Sequence, residues 1–179
     1  MNARKNLQMV VTVVLLIMAA ACSIFEKDIH VPQSFSMRVH HTDNAPQTFS
    51  VLKNVKTLKS DNKKNGGAIS SFKINAITYA VKEYEGTGAS VISGNLEFAL
   101  PGSGRFYPLA TFRQLDLKAI AASGSEIVLP VVDSKAQQQL AALMQRSNSI
   151  TFRLNATTGN SPIAATLVLK VDSDMTVAL

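Results

Sequence analysis

Every odd-numbered residue from Ile163 to Val171 is apolar (Ile163, Ala165, Leu167, Leu169, Val171), and the same parity returns at Met175, Val177 and Leu179. Side chains on a β-strand point alternately to its two faces, so a period of two places one face in a core and the other in water. An amphipathic helix is excluded over this stretch, because its apolar positions recur every three or four residues. The alternation recurs at Phe35, Met37 and Val39, more weakly at Phe49, Val51 and Val55, then at Ile92, Gly94, Leu96, Phe98 and Leu100, and at Ile150, Phe152, Leu154 and Ala156. Between these segments lie turn signals. The run PGSG at 101–104 links 92–100 to FYPLATF at 106–112 as a hairpin, with Pro108 marking an edge or bulged position.

One segment changes phase. Apolar positions pass from Phe72 and Ile74 to Ile77, Tyr79 and Val81, which on a flat strand would face opposite sides, so a β-bulge or bend is expected near Asn75 and Ala76. A one-turn helix entering the strand is the rival reading. Residues 113–125 fit a strand through Leu115, Leu117 and Ala119 and a helix through their alanines, and Glu126–Val131 reads as a short strand. A single helix stands out at 134–146: Ser134 and Gln137 form a capping-box pattern, and Ala136, Leu140, Leu143 and Met144 share one face, leaving Gln138, Gln139 and Gln145 to water. Seven to nine short strands with one short helix predict a mainly β chain, an antiparallel β-sandwich of Greek-key, immunoglobulin-like type. A closed barrel is the alternative.

The N-terminus follows a different logic. Arg4 and Lys5 precede an apolar run from Met9 to Met18 and the small residues Ala19, Ala20 and Ala21, the layout of an export signal. The run is shorter than the ~20 residues of a spanning helix. Cys22 follows at once and is the only cysteine in the chain, so an intramolecular disulfide is excluded. These residues resemble the lipobox of bacterial lipoproteins, in which small residues precede a cysteine that is acylated and becomes the mature N-terminus. The family usually carries Leu three places before that cysteine, where this chain has Ala19. The resemblance implies cleavage after residue 21 and a membrane anchor of lipid on Cys22. At ~0.8 kcal/mol per buried methylene, several acyl chains hold stably where a single one does not. An uncleaved N-terminal peptide anchor is the alternative. In the family the residues after the cysteine influence sorting, and Ser23, with no Asp there, points to the outer membrane, on its periplasmic or its cell-surface side. The domain reading is therefore a signal peptide over 1–21, a lipid-anchored tether over 22–33 closed by Pro32, and a single β-sandwich domain over 34–179.

Composition permits a packed core, with 46% hydrophobic and 17% charged residues. The formal charge of +6 becomes +4 once Arg4 and Lys5 are removed, too little to argue for nucleic acid. The positive charge concentrates at Lys53, Lys56, Lys59, Lys63 and Lys64, a candidate patch for anionic lipid, lipopolysaccharide phosphates or an acidic partner. Such lysines also keep an exposed strand edge from pairing and a polar loop, here KSDNKKNGG at 59–67, soluble.

No residue set in the sequence reads as a catalytic centre. His40 and His41 are adjacent and cannot easily share one ion from a strand, so neither a metal nor another cofactor is expected, and His30 reads as solvated. Ser60 and Lys63 match S-x-x-K only inside the polar loop, Glu83 and Glu85 read as a solvated strand end, and Asp172 and Asp174 have the same standing. The leading expectation is a non-catalytic structural or interaction module of an outer-membrane or periplasmic assembly, held by its lipid and contacting an envelope protein. Behind it stand a carrier or sensor of an apolar ligand, which needs a sizeable cavity, and a hydrolase of cell wall or glycan, which needs a polar cleft.

Overall fold

A computed structural model describes residues 26–42, 47–57, 68–86, 91–159 and 162–178. Among these residues nine strand segments and two helices follow in order: β1 (Glu26–His30), β2 (Gln33–His41), β3 (Gln47–Lys56), β4 (Ala68–Gly86), β5 (Val91–Ala99), β6 (Tyr107–Asp116), α1 (Leu117–Ser123), β7 (Ile127–Val128), α2 (Ser134–Arg146), β8 (Ser149–Thr158) and β9 (Ile163–Ala178). They build two antiparallel sheets in a sandwich-like arrangement. One runs β1-β9-β4-β7, with β2 also on β9, and the other runs β3-β8-β5-β6.

The odd residues of β9 from Ile163 to Val177 are all buried, as the alternation requires. They face the inward residues of the second sheet, including Ile92, Leu96, Phe98, Ile150, Phe152 and Leu154. Aromatic pairs cross the gap between the sheets: Phe35 stacks on Phe152 with ring centres 4.5 Å apart, and Tyr79 meets Phe112 edge-on at 5.8 Å. The β5–β6 hairpin forms around residues 101–104, and Pro108 lies on the edge strand β6 beside a register shift. The expected phase change is a bulge, since the β4–β9 register jumps between Ile74 and Ala76.

Several expectations are corrected. The segment Glu26–His30, assigned to the tether, is a strand paired to β9. Its register continues without a shift into β2, from Glu26 opposite Ala178 to His41 opposite Ile163, and only Val31 and Pro32 interrupt the assignment. Pro32 has no N–H to give the ladder, whereas Val31 N donates to Ser173 O at 2.8 Å. The strands are not uniformly short, as β4 spans 19 residues and β9 spans 16. A second helix, α1, resolves the ambiguity at 113–125: Asp116 caps its start by accepting from Ala119 N, and Gly124, with φ +62°, ends it. Of the stretch 126–131 only Ile127–Val128 pairs as a strand. The first strand neighbours the last, whereas in an immunoglobulin sheet the first two strands are neighbours.

Helix α2 occupies the predicted residues but is capped one position earlier. Asp133 Oδ1 accepts from Ala136 N at 2.7 Å, and a carboxylate is favoured there by the helix dipole. Gln137 does not return to the cap; its amide donates to Ile74 O at 2.8 Å, and Gln145 donates to Ile69 O and Ser70 O at 3.3 Å. β7 covers only Thr78 and Tyr79 of the β4 edge. Gln137 and Gln145 therefore satisfy main-chain carbonyls that β7 leaves open, so Gln145 does not simply face water, whereas Gln138 is exposed as expected.

Candidate functional site

At the end of the sandwich where the described chain begins, β1 and β4 both start beside β9. Glu26 and Ala68 flank the same residue, Ala178, on opposite sides of β9. The lysine-rich segment ends just before Ala68, so it joins the sheet at the end from which β1 starts. Cys22 lies outside the described residues, as do Lys59, Lys63 and Lys64 and the Ser60–Lys63 pair. Lys53 and Lys56 lie on β3, the edge strand of the second sheet, three positions apart and so on opposite faces. They do not form one patch by themselves. Lys53 sits opposite Phe152 in the series that points to the core, yet it is exposed, and a charge aimed inward on an edge strand blocks pairing with another strand.

Asp172 and Asp174 are not simply solvated. His30 Nε2 lies 3.1 Å from Asp172 Oδ1 and His30 Nδ1 lies 3.0 Å from Asp174 Oδ1, while Asn75 donates to Asp174 Oδ2 at 2.8 Å. The hydrogen bond to Asp174 and the charge of Asp172 hold His30 above the ordinary imidazole range, against the opposing effects of partial desolvation and of Lys170. The bonds from His30 and Asn75 hold Asp174 below the usual carboxylate range. Next along this face Thr176 donates to Asp28 Oδ1 at 2.7 Å. The cluster fastens β1 to β9 by side chains as well as by main chain. No local pattern signalled it, because His30 and Asp174 stand 144 positions apart.

His40 and His41 point to opposite faces of β2, and His41 Nε2 is buried without a hydrogen-bond partner among the described residues. Among the described residues no group of three His, Cys, Asp or Glu side chains is placed to hold a metal ion. Glu83 sits at a bulge with φ +52° and accepts from Thr166 at 2.9 Å. Between the sheets, Gln33, Phe35, Val55, Thr57, Met144, Ile150, Phe152 and Val171 surround a void of about 10 Å³, room for about one water. This void by itself is far smaller than a pocket for an apolar ligand. No helix among the described residues is long and apolar enough to cross a membrane. Comparison with models of protein families, with curated proteins and with solved structures finds no match.

Proposed function

We propose that this chain is a lipid-anchored envelope lipoprotein of the outer membrane, a non-catalytic structural or interaction module held by acyl chains on Cys22. The observation that carries this reading is the strand β1. It is paired to β9 from Glu26 onward, four residues after Cys22, so the leash between lipid and domain spans about 14 Å at full extension. A domain on so short a leash keeps one end close to the bilayer. The lysine-rich segment rejoins the sheet at that end, before Ala68, where its charge meets anionic headgroups or lipopolysaccharide phosphates. The outer face of the β1-β9-β4-β7 sheet is then left to an envelope protein partner.

The test is direct. Acylation of Cys22 is read from the mass of the mature N-terminal peptide, and the Cys22→Ala form is expected to leave the membrane pellet. Unchanged mass and unchanged sedimentation would refute the anchor. Changing Lys53, Lys56, Lys59, Lys63 and Lys64 to Gln is expected to weaken binding to anionic liposomes, and undiminished binding removes the patch.

We read the sandwich as a double Greek key of the jelly-roll kind, with β1 and β2 counted as one strand. The strand order supports it: apart from the β5–β6 hairpin, every connection from β2 to β9 passes from one sheet to the other.

A further inference from the structure

The two sheets differ in charge. Strands of the β1-β9-β4-β7 sheet, with β2, carry six carboxylates, whereas those of the β3-β8-β5-β6 sheet carry two, Glu97 and Asp116. Both of these are engaged, Asp116 in capping α1 and Glu97 in a pair with Arg153. Lys56 and Arg113, on the outward series of the same strands, have no carboxylate partner among the described residues. This sheet presents net positive charge.

Its outer face is also ordered by its own contacts. Leu52, Arg153 and Glu97 form one row across β3, β8 and β5. Arg153 Nε and Asn155 Nδ2 both donate to Glu97 Oε2 at 2.8 Å, and the guanidinium lies 3.6 Å over the ring of Phe106. In the next row Thr111 donates to Asn95 Oδ1 at 3.0 Å. The network uses one nitrogen of Arg153 and one oxygen of Glu97. The terminal amino groups of Arg153 and Glu97 Oε1 have no protein partner among the described residues. Beside the row is an open hollow of about 450 Å³, bounded by Leu52, Leu100, Phe106 and the glycine-containing turn after β5. Leu52 is 61% exposed.

A fixed donor and acceptor pair beside small apolar surfaces matches a sugar ring, whose edges carry hydroxyls and whose faces carry C–H groups. A protein partner would require a broader apolar centre than Leu52, Leu100 and Phe106 among threonines and asparagines. The positive charge of the sheet selects for acidic sugars. We propose that this face binds an acidic polysaccharide, with one sugar seated in the hollow by Leu52, Leu100 and Phe106 and a carboxylate on the terminal amino groups of Arg153.

The experiment uses the full chain in detergent, with polygalacturonate, alginate and hyaluronate as acidic probes, dextran as a neutral one and polyglutamate as an acidic polymer without sugar. Retardation in affinity gels by at least one acidic polysaccharide, and by neither dextran nor polyglutamate, is expected. Arg153→Gln and Leu100→Asp are each expected to weaken it at least tenfold. Leu100 lies outside the hydrogen-bonded network, so its variant separates recognition from folding, and unchanged circular dichroism and melting verify this. Lys170→Gln, on the other sheet, is expected to bind like the parent. No binding to any acidic polysaccharide overturns the proposal, as does equal binding to dextran or polyglutamate, or full binding by Leu100→Asp. Binding should persist in Cys22→Ala, so this proposal and the lipid anchor fail independently.

Discussion

Gly94 of β5 lies so close to β8 that a Cβ on it would overlap the carbonyl oxygen of Asn155 and stand 2.6 Å from Ala156 Cα. The obstacle is main chain, which cannot rotate aside, so only glycine fits. The approach keeps Asn155 in reach of Glu97. Gly94→Ala is expected to lower stability by about 1–3 kcal/mol, read as a shift in the urea midpoint.

The start of α2 distinguishes two caps. Asp133→Ala removes the carboxylate that accepts from Ala136 N and is expected to cost about 1 kcal/mol. Ser134→Ala, which would be as damaging if the capping-box pattern operated, is expected to change the thermal midpoint little.

His30 predicts a pH response of β1. Its folded pKa is raised by the bond to Asp174 and the charge of Asp172, so its contribution is complete below the unfolded value of 6.5 and is lost as pH rises through the folded one. Asp174, lowered from 3.8 by His30 and Asn75, contributes above that value and loses its effect as pH falls through its folded one. Lys170 and Lys73 are the nearby cations. After correction for intrinsic rates, amide exchange of β1 should be slowest between these two titrations and accelerate on the alkaline side. His30→Gln should flatten that alkaline limb, while Asp174→Asn should lower the histidine pKa followed by NMR.

Lys53 guards an edge. Replacing it with valine completes the inward series of Phe49, Val51 and Val55 on a strand with no neighbour on its outer side among the described residues. Lys53→Val is expected to form dimers or larger species in light scattering at concentrations where Lys56→Val remains monomeric.

The strands that bury one face were readable from the sequence because their burial is periodic: β9, β8, β5 and β2 each alternate, and the bulge at Ile74–Ala76 left its mark as a change of phase. β1 was not readable for the same reason. All five of its residues are exposed, so no alternation sets it apart from a tether, and only pairing to β9 makes it a strand. The cap at Asp133 was missed because Ser134 and Gln137 match a local pattern while Gln137 is drawn to a carbonyl of β4. Arg153, Glu97 and Phe106 carry no local signature either, since a partnership 56 positions apart depends on strand order.

The unbroken register from Glu26 to His41 has a mechanical consequence. Tension applied at the N-terminal end of β1 is directed along the axis of β1 and β2, parallel to the interface with β9. The ladder is then sheared, so its hydrogen bonds yield together rather than one after another as in unzipping. Resistance to such a pull is governed by the rate of unfolding and not by equilibrium stability. Under the lipid anchor proposed for Cys22, this ladder is suited to withstand sudden strain between a membrane and the domain.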